Sequence, residues 1–222
     1  MKIPIKFFDL ISPHFGKDVL HLHIPKCGGT AIKEAFGKRS DLCPSLKWKD
    51  ASGHLTIFEY ARVFKNHSVN LDDFFTFTIV RNPWDWHVSW YNYLRKDVDG
   101  KLSGLKFEAQ LLKKVSFLDY IDWIDNYAEK QVNNSYLTKQ LSDWIINDKG
   151  KIGVDCILHQ ENLENELNQM LEKMNSKIKI NLPRVNYSRS KDQNYRDYYN
   201  DKAIKIIESR HRKDIELFGY NF

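Results

Sequence analysis

His23-Ile24-Pro25-Lys26-Cys27-Gly28-Gly29-Thr30 is the stretch on which the reading of this chain turns. Before it, Val19-Leu20-His21-Leu22-His23-Ile24 alternates in the manner of a β-strand. After it, Ala31-Ile32-Lys33-Glu34-Ala35-Phe36 reads as the first turns of a helix. A strand, a glycine turn carrying a lysine and a helix N-terminus together make an anion site. The glycines let backbone N–H groups converge on an oxyanion, and the helix dipole adds favourable potential. Lys26 supplies a movable point charge at the mouth of that cradle. The plainer alternative is a tight turn beside a solvated lysine. The common nucleotide-binding loop, G-x-x-x-x-G-K-[ST], places its lysine after the glycines, whereas Pro25-Lys26 here precedes Gly28-Gly29-Thr30. No strand ending in a metal-binding aspartate stands out elsewhere.

A second segment strengthens the anion reading. Phe75-Thr76-Phe77-Thr78-Ile79-Val80 is β-branched and aromatic, as a strand requires, and runs into Arg81-Asn82-Pro83-Trp84-Asp85-Trp86-His87-Val88-Ser89-Trp90-Tyr91. Pro83 suits the first turn of a helix, where its missing N–H costs nothing. Arg81 is then expected at the carboxyl end of a strand, with Ser89 two turns into the following helix. Ligands of open α/β sheets bind outside the carboxyl ends of the strands. A lysine loop and an arginine–serine pair on one such edge imply a ligand with two separated phosphates.

The two motifs together, His-Ile-Pro-Lys-Cys-Gly-Gly-Thr and Arg-Asn-Pro-x-x-x-x-x-Ser-x-Tyr, resemble the sulfotransferases that use 3′-phosphoadenosine 5′-phosphosulfate (PAPS), and more narrowly their carbohydrate and glycosaminoglycan branch. The resemblance continues weakly through Asn186-Tyr187-Ser188, Tyr198-Tyr199 and Asp214 to Phe222. It implies a P-loop-like sulfotransferase fold in which Pro25, Lys26, Cys27, Gly28, Gly29, Thr30 and Ala31 hold the 5′-phosphosulfate. It assigns the 3′-phosphate to Arg81 and Ser89. A late loop that closes over the nucleotide brings in Ser188 and Arg189 or Lys191. Adenosine 3′,5′-bisphosphate is the implied product, and no metal is called for. The chain departs from many relatives at Trp86, where they carry an arginine that supports the loop, so packing there comes into question. Cys27, often threonine in relatives, leaves a backbone cradle intact and is not read as a nucleophile.

Sulfuryl transfer is an in-line displacement in which positioning and charge stabilisation do most of the catalysis. Lys26 is the candidate for stabilising the bridging oxygen of the leaving phosphate. The acceptor hydroxyl needs a base, and histidine is suited by an unperturbed pKa of about 6.5. His54, in Ala51-Ser52-Gly53-His54-Leu55-Thr56 ahead of a helical pattern, lies between the two motifs, where relatives place their base. Its assignment is by analogy, and a capping or surface role is the alternative. His21 and His23 share one face of the first strand and are expected to line the sheet or bond locally. His87 and His159 are the next candidates, while His14, His67 and His211 look peripheral.

Other chemistries find no support. Metal-binding spacings such as H-x-x-x-H or paired C-x-x-C are missing, and Cys27, Cys43 and Cys156 are too scattered for a zinc site. There is no G-x-S-x-G elbow for a hydrolase. A net charge of +5 is moderately basic, but no nucleic-acid-binding module accompanies it. Such a charge suits an enzyme that attracts an anionic cofactor.

The remainder builds an expected α/β fold: one domain over residues 1–222 with a mainly parallel central sheet flanked by helices. Helices are predicted from Ile57, after Ser116 with Asp119 completing an acidic capping box, over Tyr136 to Ile146, through Leu163 to Met174, and from Asp201 onward with Ile204, Ile207 and Ile215. Val154 to Leu158 is predicted as a buried strand. Asp97 to Gly104 reads as a surface loop. Asn181 to Asn200 interleaves basic residues with Tyr195, Tyr198 and Tyr199, a composition that can clamp phosphates and stack on adenine.

The N-terminal residues offer no uninterrupted apolar segment, and the three scattered cysteines suggest no disulfide framework, so a cytoplasmic enzyme without stable membrane insertion is expected. The expected activity is transfer of a sulfuryl group from PAPS to a hydroxyl, with a carbohydrate as acceptor. The alternatives are an ATP- and magnesium-dependent kinase and a non-catalytic nucleotide-binding protein.

Overall fold

Three parallel strands, β1 (Asp18–Leu22), β2 (Phe74–Val80) and β3 (Cys156–His159), lie side by side in the order β1-β2-β3 in the computed structural model. The model describes residues 18–36, 54–97, 99–102, 104–128, 135–174, 179–182 and 194–222. Parallel neighbours require a crossover, and among the described residues the β1–β2 connection carries the helices α1 (Gly29–Phe36) and α2 (Ile57–Asn66). A parallel sheet with intervening helices is the α/β class that the sequence predicts.

The chain divides into two compact units, Met1–Val80 with Asp143–Val185, and Arg81–Ser142 with Asn186–Phe222. In the first, β2 is central and almost wholly buried, which accounts for its unbroken run of β-branched and aromatic residues. Register pairs Leu22 with Thr78 and Val80 with His159, so the three carboxyl ends fall within two residues of one another. Thr78 fixes part of that register by donating its hydroxyl to the Leu22 carbonyl, buried and 2.7 Å away. Asp155 fixes the rest. Its carboxylate accepts from the N–H and hydroxyl of Thr76 at 2.7 and 2.9 Å. The third strand begins at Cys156 rather than Val154 and is half-buried, with only Leu158 fully inside. It pairs on one side only among the described residues, so apolar composition overstated its burial. The second unit contributes α3 (Pro83–Lys96), α4 (Lys106–Leu112) and α5 (Phe117–Asn126). The first unit then resumes with α6 (Leu163–Lys173), whose Leu163, Leu167, Met170 and Leu171 are buried as the periodicity requires.

The second unit ends in α7 (Asp201–Arg210) and α8 (Arg212–Phe218). These replace the single terminal helix expected, because His211, at φ −104° and ψ 22°, leaves helical geometry. Pro83 occupies the first turn of α3 and Asn82 caps it by accepting from the Trp84 N–H. Ser116 and Asp119 form the predicted capping box of α5. Trp86, the position where packing was in question, is completely buried, its ring edge-on to Trp90 and His211. The described residues between Asp97 and Gly104 form turns and bends, with Leu102 73% exposed and its N–H donated to the buried Asp97 carboxylate.

Tyr136 to Ile146 does not form a helix. Two short 3₁₀ turns, Tyr136–Thr138 and Ser142–Trp144, stand there, and Ile146 pairs in an antiparallel bridge with Ile152. The reason is a competing acceptor. The Leu141 and Ser142 N–H groups donate to the fully buried carboxylate of Asp214 at 2.7 and 2.8 Å, so they are not available to a helical ladder. Leu137, Leu141 and Trp144 are buried as predicted, on a different backbone. Among the described residues, no helix is long and apolar enough to cross a membrane.

Candidate functional site

The turn after β1 is built on left-handed backbone, and within it the Cys27 N–H donates to the Ile24 carbonyl at 3.4 Å. Lys26 adopts φ 65° and Gly28 φ 91°, so a left-handed residue stands on either side of Cys27 just before α1. A lysine in that region costs about 1–2 kcal/mol relative to its relaxed backbone, and such outliers cluster at sites that hold ligands. Left-handed residues in a turn point successive N–H groups to one side, which is how a nest receives an oxyanion. The Gly28 carbonyl accepts from Ala31 and Ile32, which closes the first turn of α1. Pro25 and Cys27 are buried, Cys27 with 1% exposure, while Thr30 is exposed and Ala31 half-buried. Cys27 thus serves the core through its side chain, as expected of a residue that is not a nucleophile.

His54 comes to this loop. Its Nδ1–H donates to the His23 carbonyl at 3.0 Å, and the two imidazole rings meet edge-on with centroids 4.5 Å apart. The Trp144 ring stands edge-on to it at 6.4 Å. Burial lowers the His54 pKa below its ordinary 6.5, opposed by the hydrogen bond to His23. Because Nδ1 carries the proton, Nε2 holds the lone pair in the neutral form. The cap of α2 is Thr56, paired reciprocally with Glu59, so the capping alternative for His54 does not apply. A Cβ added at Gly29 would lie 2.0 Å from the His23 Nε2, so only glycine is compatible with that ring.

In the second unit, Arg81 directly follows the last residue of β2 and is gripped by Asp85 one helical turn on. The Asp85 Oδ2 accepts from Arg81 Nε at 2.9 Å and pairs with Nη2 at 2.7 Å, with side chains 11% and 9% exposed. That grip orients the guanidinium plane. Ser89 lies on α3 and is buried. Ser188, Arg189 and Lys191 lie outside the described residues.

The family model described as the sulfotransferase family matches residues 13–221. The chain belongs to the sulfotransferase family. No curated protein and no solved structure matches it.

Three further histidines, His87, His211 and His159, sort by partner. His87, a reserve candidate for the base, is fully buried, with Nδ1 2.8 Å from the Tyr120 hydroxyl and Nε2 2.9 Å from the His211 Nε2. Burial and the charges of His211 and Arg210 push its pKa well down. His211 was expected at the periphery and is instead 2% exposed, donating Nδ1–H to Asp214 at 2.8 Å. Tyr120, His87, His211 and Asp214 thus form a buried hydrogen-bonded chain. His159 is tied to Glu166, whose carboxylate accepts from its N–H at 2.6 Å and from Nδ1 at 3.2 Å. Tyr195, Tyr198 and Tyr199 are half-buried and meet other rings of the second unit edge-on. Tyr199 packs on Phe117 and Phe222 and donates its hydroxyl to the Trp84 carbonyl, Tyr198 packs on Phe117, and Tyr195 on Phe222.

Sequence reasoning missed two contributors, His23 as the neighbour of Gly29 and His54, and Asp85 as the clamp on Arg81. The second was readable from its i,i+4 spacing.

Proposed function

We propose that this protein transfers the sulfuryl group of PAPS to a hydroxyl of a carbohydrate acceptor, releasing adenosine 3′,5′-bisphosphate. The observation that carries the reading is the left-handed Lys26 in a glycine turn before α1, with His54 bonded to the same loop. When bound, PAPS supplies a sulfuryl group joined to phosphate through a bridging oxygen. The backbone from Pro25 to Ala31 holds the phosphosulfate end, and Lys26 neutralises charge that develops on the bridging oxygen. Arg81, oriented by Asp85, and Ser89 take the 3′-phosphate, and Ser188 with Arg189 or Lys191 close over the nucleotide. His54 takes the acceptor proton at Nε2, the nitrogen that its bond to His23 leaves unprotonated, and its lowered pKa keeps it neutral at physiological pH. The carbohydrate acceptor and a cytoplasmic setting belong to this reading through the family resemblance and the absence of a disulfide pattern.

Calorimetric titration with adenosine 3′,5′-bisphosphate, compared with 5′-AMP and with ATP plus magnesium, tests it. Binding that depends on the 3′-phosphate is expected. Arg81→Ala then weakens that binding by about 2 kcal/mol, the scale of a charged hydrogen bond. Lys26→Ala leaves much of it while lowering turnover by about 10²–10³. His54→Ala lowers turnover by about 10²–10⁴ with binding nearly unchanged. Preference for ATP and magnesium would instead favour a kinase. Undiminished turnover in the Lys26 and His54 variants would remove both from the mechanism.

A further inference from the structure

The geometry points to the His23 imidazole as a positioning residue that gauges the distance between the glycine loop and the base, a role that rests on His54 being that base. His23 is the first residue after β1, two before the turn begins at Pro25, and its ring touches both parts of the site. On one side it occupies the space of a Gly29 side chain, since an added Cβ would meet Nε2 at 2.0 Å, Cδ2 at 2.5 Å and Cε1 at 2.6 Å. On the other it meets the His54 ring at 4.5 Å, while its own carbonyl takes the His54 Nδ1–H.

The ring is itself braced from the sheet. His21 stacks on it at 5.5 Å and lies flat against Phe77 at 4.8 Å, and both His21 and Phe77 are buried in the strands. A row of rings thus runs from the middle of β2 through β1 to His54, with Trp144 standing edge-on at the far end. Side chains on strands are held more rigidly than those on loops, and a base must be held to within about 0.5 Å of its working position. His54 sits in a segment without regular structure, ahead of α2. The sheet supplies through His23 the rigidity that this segment lacks. Glycine at position 29 then has a second purpose beyond backbone freedom: it admits the ring.

The arrangement predicts compensation between positions 23 and 29, which neither a simple loop glycine nor a simple core histidine would show. Three full-length variants test it: Gly29→Ala, His23→Ala and the double variant. Two readouts are used, affinity for adenosine 3′,5′-bisphosphate by calorimetry and the ¹⁵N signals of the His54 imidazole by NMR. Gly29→Ala is expected to weaken the nucleotide at least about tenfold, because its methyl and the His23 ring cannot share one place. His23→Ala is expected to hold affinity within about threefold while the His54 ring, no longer braced against the carbonyl of residue 23 that it bonds, moves from the Nδ1–H pattern toward a tautomeric average. The double variant is expected to regain affinity to within about threefold of His23→Ala, the new methyl filling space that the ring has left. His23→Asn, shorter but polar, carries the same expectation if His23→Ala does not fold.

A double variant as weak as Gly29→Ala, or His54 signals indifferent to position 23, overturns the proposal. Failure of the wild-type protein to bind the nucleotide would overturn the donor-site reading instead. The NMR comparison would still decide whether His23 sets the state of His54.

Discussion

His21 makes stability depend on pH in a way that can be worked out in advance. The side chain is 5% exposed and lies flat on Phe77, and burial, with His54 as a smaller influence, lowers its pKa from 6.5 to about 3. The folded protein therefore holds a neutral imidazole where the unfolded chain takes up a proton. Stability from this residue is fully present above the unfolded pKa and is lost as pH falls through 6.5 toward 3. At about pH 5 the loss is RT ln[(1 + 10^1.5)/(1 + 10^−2)], about 2 kcal/mol, approaching about 1.4 kcal/mol per pH unit. His54 and His87, also lowered, act in the same direction. The carboxylates held below their ordinary 3.8, Asp119 and Asp214, lose their contribution only at more acid pH. The window between about pH 5 and about pH 7 thus belongs to histidines, and a substitution isolates the share of His21. His21→Phe keeps a flat ring on Phe77 and removes the titration. Urea unfolding of both proteins at about pH 5 and about pH 7.5 gives two differences. The wild-type protein should lose about 2 kcal/mol more than the variant across that interval, or about 4–8 °C in melting temperature. Equal losses would show that the folded protein accommodates a charged His21 in spite of its burial.

Two buried carboxylates give further tests. Asp214→Asn puts an amide donor among the N–H groups of Leu141, Ser142 and His211 that now share one carboxylate, and a loss of about 3 kcal/mol is expected by urea unfolding; a loss under about 1 kcal/mol would show that these bonds are readily replaced. Asp85→Asn leaves the Arg81 guanidinium, 11% exposed, without its countercharge, and should also cost about 3 kcal/mol. The pair Arg81→Met with Asp85→Leu should recover most of that loss in the same assay, and no recovery would mean that the two residues act independently.

Much of this fold is legible because its signals are local. The β1 alternation, the apolar run of β2, Pro83 at the first turn of α3 and the capping box of α5 each lie within a few consecutive residues, and each element formed within two residues of where they place it, β1 ending at Leu22 instead of Ile24. The glycine turn was legible for the same reason, because left-handed backbone and helix start are encoded within eight residues. Whether His54 reaches that turn was not. Its partner is 31 residues away, and no spacing rule connects a histidine in an irregular segment with a strand carbonyl. Tyr195, Tyr198 and Tyr199 likewise find partners at long range, in the aromatic rings of Phe117 and Phe222.

Asp214 explains the largest misreading and connects it with the hidden histidines. Read locally, it is one acidic residue in the first turn of a short helix, where the dipole welcomes it. In the fold its carboxylate is fully buried. Burial raises its pKa, but the hydrogen bonds and charge of His211, with the bonds from Ser142, outweigh this and hold it below the ordinary value. A buried anion needs donors on every side. Asp214 takes them from segments 72 and 73 residues earlier, and that demand removes two N–H groups from the Tyr136–Ile146 helix and draws His211 inward. His211 in turn lies against His87, so that a residue on α3 which sequence offers as a base becomes one link of a buried chain. One charge buried far from its partners in sequence thus changed a helix, a histidine at the periphery and a candidate base together, and periodicity has no means of registering any of the three.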